Sequence, residues 1–226
     1  MAAWAVLQAA LVVQAAAGVG GAGEGAAAAA AVLAGYVLAD LGSGVFHWSV
    51  DNYGGASTPV LGSIIDSFQG HHARPWTITQ REFANNLAGP VVVHLPLLAA
   101  ALALPGGAPA KAFAAAFLAC TALAQQTHAW AHLKRGDVPP PVLALQDAGV
   151  LVSCRAHGAH HKPPFAQQYC IVSGLWNNVL DGGVLAQAER VIYDRTGVAP
   201  RGWTEPGGKW APPLEEETPL EEETAE

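Results

Sequence analysis

The chain has 226 residues, of which 51% are hydrophobic and only 13% are charged, a composition typical of a small bundle of membrane helices. Its formal net charge of −7 comes from seven glutamates in residues 215–226, and the rest of the chain is formally neutral. Such a chain lacks the basic excess that neutralises phosphates, so we expect no nucleic-acid partner. The three cysteines are never spaced as CxxC; they indicate no disulfide framework and are compatible with a reducing compartment.

Four apolar segments follow one another, and each approaches the ~20 residues that a helix needs to cross the hydrocarbon core. They cover about residues 2–19, 25–46, 87–104 and 112–127. The first, within residues 1–24, is also compatible with a leader remnant, whereas 142–153 fits a surface-lying or re-entrant stretch. We therefore predict an all-α membrane protein with about four transmembrane helices. Its membrane domain would span residues 25–212, followed by a disordered acidic tail at 213–226.

The positions of the basic residues predict how these helices are oriented. If the last three segments cross the membrane, the loop at 47–86 and everything after residue 128 lie on one side. Ten of the eleven Lys and Arg residues fall on that side, and the exception is Lys111. Because basic residues are retained on the cytoplasmic side of membranes, this side is predicted to face the cytosol or the stroma.

Histidines mark the ends of the apolar segments. Eight of the nine fall into four groups, all on the predicted cytosolic or stromal side: His47; His71 and His72; His128 and His132; His157, His160 and His161. Imidazole is the commonest protein metal ligand, and it suits Fe, Zn, Cu and Ni. Eight imidazoles exceed what one tetrahedral zinc can use, so the pattern predicts a centre of two metal ions.

Two of these groups have the spacing of neighbours on a helix surface. His128 and His132 are four residues apart, as are His157 and His161, with His160 on an adjoining position. Residues four apart lie on one helix face at about 5–6 Å between their Cβ atoms. Each pair is therefore able to bind one metal ion or to bridge two.

Two carboxylates are further candidates for the site. Asp51 lies four residues after His47, so it is predicted to act as a metal ligand or to orient His47 from behind, and Asp147 is a second candidate for such a role. His94 falls in the middle of an apolar segment, and we expect it to pack rather than to bind metal. Tryptophans beside the histidine groups predict an aromatic belt at the level of the lipid headgroups: Trp48, Trp76 and Trp130.

Several blocks of sequence together closely resemble the plant fatty acid desaturase 4 group. They are ADLGSGVFHWSVDNYG, QGHHARPWTIT, REFANN, QQTHAWAH, LQDAGVLVS, HGAHH and YCIVSGLWNNVLD. The same domain is similar to the animal plasmanylethanolamine desaturase, also called Kua. The resemblance covers roughly residues 30–212. Its boxes QGHHA, HAWAH and HGAHH correspond to Gln69–Ala73, His128–His132 and His157–His161, and His47 matches the histidine that precedes them.

The resemblance implies a non-haem di-iron enzyme that uses O2 and two electrons to remove hydrogens from a lipid acyl chain. The implied substrate is palmitate of the membrane glycerolipid phosphatidylglycerol, with a trans-3 double bond as the product. An electron-donor protein such as ferredoxin is the implied partner. The implied location is a plastid (chloroplast) membrane with the site facing the stroma, although the chain shows no Ser- and Arg-rich transit peptide before its first segment. The endoplasmic reticulum is the alternative.

Physical chemistry leaves several alternatives open beside this resemblance. An unactivated C–H bond is out of reach of acid–base side chains, so its oxidation requires a metal, with the protein supplying position. Imidazoles alone do not distinguish iron from zinc, copper or manganese. Desaturation of a plasmanyl ether lipid is one alternative reaction, and a membrane di-metal hydroxylase or hydrolase is another. A non-catalytic metal-binding or transport protein is the third.

Overall fold

The computed structural model describes residues 1–204, and every regular element in that range is helical. The helices are α1 (Ala2–Ala17), α2 (Ala22–Asn52), α3 (Gly62–His71), α4 (Phe83–Ala103), α5 (Ala108–Ala131), α6 (Pro140–Asp147), α7 (Cys154–His160), α8 (Asn177–Val179) and α9 (Leu185–Thr196). Short 3-10 turns cover Pro75–Gln80, Arg135–Asp137 and Arg201–Trp203, and a π-helical turn at Leu180–Val184 joins α8 to α9. The predicted all-α class is confirmed, and the acidic tail at 213–226 lies outside the described residues.

Within residues 1–204, three helices rather than four are long and apolar enough to cross a membrane: α2, α4 and α5. The helix α1 has 16 residues, which is about 24 Å and shorter than the ~30 Å hydrocarbon core. It nevertheless belongs to the bundle, because Leu11 is fully buried with Leu98 of α4, and the Gln8 side chain donates a 2.6 Å hydrogen bond to the Ala115 carbonyl of α5.

Small residues let the central helices α2 and α5 approach closely. A Cβ atom at Gly35 of α2 would lie 2.8 Å from the Phe113 carbonyl oxygen and 3.0 Å from the Ala116 Cβ of α5. No larger side chain fits there unless the two helices separate. The Ala- and Gly-rich composition of these segments therefore serves close helix packing, which in a membrane replaces the hydrophobic effect as a source of stability.

The helix α2 is long enough for its last turns to lie beyond the hydrocarbon core. Its 31 residues extend over about 46 Å, roughly 16 Å more than that core requires. His47 and Asp51 lie in these last turns, and His128 lies in the last turn of α5 at the same end of the bundle. The connection from α2 to α4 and the chain after α5 start at this end, so they supply the other histidines from the same side.

Lys111, the basic residue predicted on the far side, has a structural role there. Its side chain is only 8% exposed, and its Nζ donates hydrogen bonds to the carbonyl oxygens of Leu102 and Leu104 at 3.2 and 2.8 Å. These carbonyls end α4 and have no partner within the helix. A cation at a helix C-terminus also interacts favourably with the helix dipole.

The tryptophans are not all part of an aromatic belt. Trp48 is only 8% exposed and donates its indole N–H to Glu189 of α9 at 2.9 Å, so its expected place in the belt is wrong. It is a core residue because the chain after α7 folds back over the end of α2. Trp76 is 56% exposed, as a belt residue should be.

The stretch 142–153, which was predicted to lie on the surface or to re-enter the membrane, contains part of the eight-residue helix α6. This helix is too short to span a membrane.

The topology can be tested with a membrane-impermeant maleimide on sealed vesicles. The native Cys154 is exposed at the start of α7, on the histidine side. We expect it to be labelled only from that side. In a Cys154→Ser background, a Gly106→Cys variant in the turn between α4 and α5 should be labelled only from the opposite side. Labelling of both positions from the same side would contradict the arrangement.

Candidate metal centre

Four chain segments bring the eight clustered histidines together. The C-terminal turns of α2, α3 and α5 provide His47, His71 and His128, and α7 provides the remaining box. Their ring nitrogens, together with one carboxylate, form two separate donor groups. Within each group, all the atoms that could bind a metal lie within 4.8 Å of one another. We call them the five-histidine group (His71, His128, His132, His157 and His161) and the carboxylate group (His47, Asp51, His72 and His160).

In the five-histidine group, the Nε2 atoms converge on one point. The Nε2 of His132 lies 2.9 Å from that of His71, 3.1 Å from that of His128 and 2.9 Å from that of His157. The Nε2 of His161 lies 3.1 Å from that of His157. A ring nitrogen carries either one hydrogen or one lone pair, so His132 can form a hydrogen bond with only one of its three neighbours.

The convergence fits a metal ion at its centre. Two nitrogens at right angles in a metal shell, each at about 2.1 Å from the ion, are about 3.0 Å apart. The observed separations of 2.9–3.1 Å fit such edges. Without a cation, the lone pairs of the crowded imidazoles would repel one another in a buried space.

In the carboxylate group, hydrogen-bond acceptors face one another. The Oδ2 of Asp51 lies 3.2 Å from His47 Nε2, 3.1 Å from His72 Nε2 and 3.3 Å from His160 Nε2. The Nδ1 atoms of His47 and His160 lie 2.9 and 2.8 Å from the backbone carbonyls of Tyr169 and Gln167. A carbonyl only accepts, so both Nδ1 atoms carry the hydrogen and both Nε2 atoms present lone pairs to the carboxylate.

These atoms are also left without partners. The Nε2 atoms of His47 and His160 and the Oδ1 of Asp51 are buried and form no hydrogen bond within residues 1–204. Unpaired buried acceptors are costly, because they have lost their water. A carbonyl behind the Nδ1 of a ligating histidine is the usual way to fix its tautomer. The residues therefore fit a second metal ion.

Burial keeps the imidazoles in the form that binds metal. It lowers the pKa of His71 to about 3, with a further contribution from His132, and the pKa of His132 to about 4, with a further contribution from His160. The fully buried His157 has a pKa well below its usual range for the same reason, with repulsion from His128 second. At neutral pH these rings are neutral, and no proton has to leave before a metal binds.

Histidines from the same sequence motif do not all belong to the same donor group. His71 and His72 are adjacent in the chain, yet each belongs to a different group, and His160 belongs with His72 rather than with His157 and His161. The pairs with helical spacing stay together, because each lies on one face of its helix. The sequence predicted Asp51 either as a metal ligand or as a residue that orients His47. The structure places its carboxylate within the carboxylate group.

Two other candidates lie elsewhere. Asp147 forms an exposed ion pair with Arg135, with both pairs of atoms at 2.7 Å, and belongs to neither group, so the structure does not support its suggested role at the site. Both ring nitrogens of His94 are engaged, by the Pro90 carbonyl at 2.6 Å and the Thr121 hydroxyl at 2.8 Å. His94 packs α4 against α5, as its depth in the span predicted.

Sequence reasoning missed the segment that orients the carboxylate group. Asp40 of α2 is fully buried and accepts hydrogen bonds from the backbone N–H groups of Ser173, Gly174 and Trp176, at 2.7, 3.0 and 3.2 Å. This anchors the loop that carries the Tyr169 carbonyl behind His47. The only signal in the sequence was an acidic residue within an apolar segment, which must find a partner.

The fold and the site define a class: a membrane helical bundle with a histidine-rich site suited to two metal ions. The chain belongs to the lipid desaturase family, because the lipid desaturase domain matches residues 36–203. It is 52% identical to fatty acid desaturase 4, chloroplastic, of Arabidopsis thaliana over 78% of this chain and 55% of that protein.

Two further relatives are similar over most of this chain. It is 48% identical to the Arabidopsis fatty acid desaturase 4-like 1, chloroplastic, over 80% of this chain and 61% of that protein. It is 35% identical to the plasmanylethanolamine desaturase of Myxococcus xanthus over 76% of this chain and 62% of that protein. The chain thus spans 55–62% of the length of these relatives. No solved structure matches it.

Metal content tests the two donor groups separately. The protein loaded with ferrous iron should bind two ions per chain by elemental analysis. Asp51→Ala and His132→Ala should each lower this number to about one, because each variant disrupts a different group. The matched control His94→Gln, which changes a histidine outside both groups, should keep two. Loss of both ions in His94→Gln, or of neither in the other two variants, would contradict the assignment.

The anchoring role of Asp40 predicts a coupled loss of stability and of one metal ion. Asp40→Ala leaves three N–H groups unpaired and should lower the free energy of unfolding in detergent by about 3 kcal/mol. It should also weaken metal binding at the carboxylate group alone, because the Tyr169 carbonyl is no longer held behind His47. Asp40→Asn should lose less, since its carbonyl oxygen still accepts. Asp194→Ala, on the exposed surface of α9, should change neither quantity.

Proposed function

We propose that this chain is an O2-dependent lipid desaturase that holds two iron ions, one in each donor group. Two observations carry the proposal: the Nε2 atoms of the five-histidine group converge, and in the carboxylate group the Nε2 atoms of His47 and His160 present lone pairs to Asp51. The eight histidines of the two donor groups and Asp51 are the proposed ligands. Membership of the lipid desaturase family supports iron and O2 over the hydrolytic alternative.

The reaction balances with one O2 and two external electrons. Two hydrogens leave neighbouring carbons of the acyl chain as a double bond forms. Together with two electrons from a donor and two protons, they reduce O2 to two molecules of water. Bound iron would supply the activation of O2 that breaks an unactivated C–H bond, which no protein acid or base can do.

The residues of this chain would hold and orient that chemistry. The Tyr169 and Gln167 carbonyls keep the Nε2 lone pairs of His47 and His160 directed at the carboxylate group. The packing around the fully buried His47, His157 and His160 excludes bulk water, which protects reactive species from side reactions. The one carboxylate gives the two groups unequal charge, so we expect the two metal ions to differ in redox properties.

Palmitate on phosphatidylglycerol is the substrate that we propose, with a trans-3 double bond as the product. The 52% identity to a chloroplastic fatty acid desaturase 4 supports it over a plasmanyl ether lipid, whose desaturases are more distant at 35%. Depth is compatible with both: the site lies at the end of α2, near the membrane boundary, where the carboxyl end of an acyl chain lies just beneath its headgroup.

The chloroplastic relatives also support a proposal for the electron donor and for the location. We propose a ferredoxin-type donor and a plastid membrane, with the site on the stromal face, as the names of the chloroplastic relatives suggest. The excess of Lys and Arg on the histidine side supports this sidedness. A location in the endoplasmic reticulum with a cytosolic site would preserve the same orientation.

Lipid analysis after expression with a ferredoxin and its reductase tests the function. In a host that lacks the product, mass spectrometry should locate a double bond at carbon 3 of the palmitate in phosphatidylglycerol. His128→Ala should reduce the product by more than the ~10–100-fold typical of losing a residue behind a ligand, because it removes a ligand. His94→Gln should stay within a few-fold of the wild type. A hydroxylated acyl chain, or no oxidised lipid despite full iron content, would overturn the proposal.

A further inference from the structure

A cleft of about 510 Å³ opens beside the five-histidine group. Its wall includes His71 and His128, so a molecule inside it touches two of the proposed metal ligands. The volume lies within the range of small-molecule sites and is too small for a phospholipid with both acyl chains. It has room for a headgroup and the adjacent part of one chain, with the remainder in the bilayer.

The same cleft is lined by two arginines, Arg74 and Arg81. Both side chains are exposed, and neither forms an ion pair with any residue between 1 and 204. By contrast, Arg135 is fixed by Asp147. Two unpaired guanidinium groups beside a cavity are suited to a phosphate, which accepts paired hydrogen bonds from the planar fork of arginine.

A rigid turn holds the two arginines at the cleft. They flank the 3-10 helix Pro75–Gln80, one at each end. Ile78 anchors this turn, since it is only 3% exposed, and the hydroxyl of Thr77 donates to the Arg74 carbonyl at 2.8 Å. The backbone at both arginines is therefore fixed, and only their side chains must order when an anion binds.

Depth in the membrane indicates where the phosphate comes from. Trp76 in the same turn is 56% exposed and Phe83 at the start of α4 is 50% exposed. Exposed aromatic rings at the end of a membrane span lie at the level of the lipid headgroups. Arg81 lies two residues before α4 and thus at the same level, where the phosphates of the bilayer are found.

We propose that Arg74 and Arg81 bind the phosphate of a glycerophospholipid in this cleft, and thereby select phospholipid over uncharged glycerolipid. The inference rests on the proposed function, for which it names the residues that position the substrate. A phosphate held here leaves the carboxyl end of the acyl chain beside His71 and His128. Phe68 and Ile78 provide apolar surface in the same wall for the first carbons of the chain.

One acidic residue shares the wall, and it is compatible with this ligand. Asp66 of α3 also lines the cleft, so the two guanidinium groups outnumber one carboxylate. A carboxylate accepts hydrogen bonds from hydroxyl or ammonium groups. A lipid whose phosphate carries a glycerol or an ethanolamine therefore supplies partners for the arginines and for the carboxylate, whereas a diacylglycerol has one hydroxyl for the carboxylate and no phosphate for the arginines.

Lipid binding to the purified full chain in mild detergent tests the proposal, with native mass spectrometry as the readout. The probes are dipalmitoyl phosphatidylglycerol and dipalmitoylglycerol, which have the same chains but differ in phosphate. The wild type should prefer the phospholipid at least tenfold. Arg74→Gln with Arg81→Gln should lower its affinity for the phospholipid about tenfold, the size of a charge-assisted hydrogen bond partly screened by water, and leave diacylglycerol unchanged.

Matched variants separate this role from folding and from net charge. Arg195→Gln, an exposed arginine on α9, makes the same change of charge and should bind as the wild type does. Replacement of both cleft arginines by lysine should retain most of the affinity, because an ammonium still binds phosphate. In the desaturation assay, the double glutamine variant should raise KM for the phospholipid with little change in kcat.

Three outcomes would overturn the assignment. Equal phospholipid binding by the double glutamine variant would remove the role of the arginines. Competition by inorganic phosphate at the same concentration as the lipid would indicate a site for free anions. Unchanged lipid binding with slower reduction by the donor would indicate a docking site for an acidic protein. If the wild type selects phospholipid through these arginines yet forms no desaturated product, the proposed function fails and the phosphate site stands.

Discussion

The crowding of eight imidazoles and one carboxylate in a small, largely buried space is the constraint on which the site end of this molecule depends. In the five-histidine group, imidazole nitrogens lie 2.9–3.1 Å from one another. In the carboxylate group, Asp51 faces two nitrogens that present lone pairs. Both arrangements are unfavourable unless a cation lies between the atoms. The bundle must therefore be stable enough to hold these atoms together. Close packing of α2 on α5 at Gly35 and the anchoring of the 173–176 loop by Asp40 provide such support.

The same arrangement solves a problem of location. The substrate proposed for this chain is apolar and lies in the bilayer, whereas iron, electrons and protons arrive from water. Both α2 and α5 are longer than the hydrocarbon core requires, so the proposed ligands at their ends can lie at the boundary between the two. The cleft beside His71 and His128 opens at the same level. The site then does not need to extend into the membrane to meet a C–H bond close to the carboxyl end of an acyl chain.

Much of this was predictable from the sequence, because apolar length and charge asymmetry act locally along the chain. The spans α2, α4 and α5, the common side of the eight histidines and the packing role of His94 all followed from position alone. The first segment, which the sequence predicted as a possible fourth span, forms a helix of 16 residues, which is shorter than the hydrocarbon core. The sequence did not predict that the adjacent His71 and His72 belong to different donor groups. That division depends on how the end of α3 meets the ends of the other helices that carry the histidines.

The placement of acidic residues shows the same limit. Asp51 and Asp147 looked similar in sequence, each near a histidine box. One is 5% exposed among three imidazoles, and the other is half exposed in an ion pair with Arg135. Only the tertiary fold distinguishes them. Asp40 appeared in no sequence prediction because its partners are backbone N–H groups more than a hundred residues away.

The central claim is that each donor group holds one metal ion. An experimental structure of the iron-loaded protein, with anomalous scattering measured at the iron edge, tests it most directly. We expect two anomalous peaks: one surrounded by the Nε2 atoms of the five-histidine group, the other bounded by Asp51 and the Nε2 atoms of His47, His72 and His160. A single peak, or iron bound away from both groups, would contradict it.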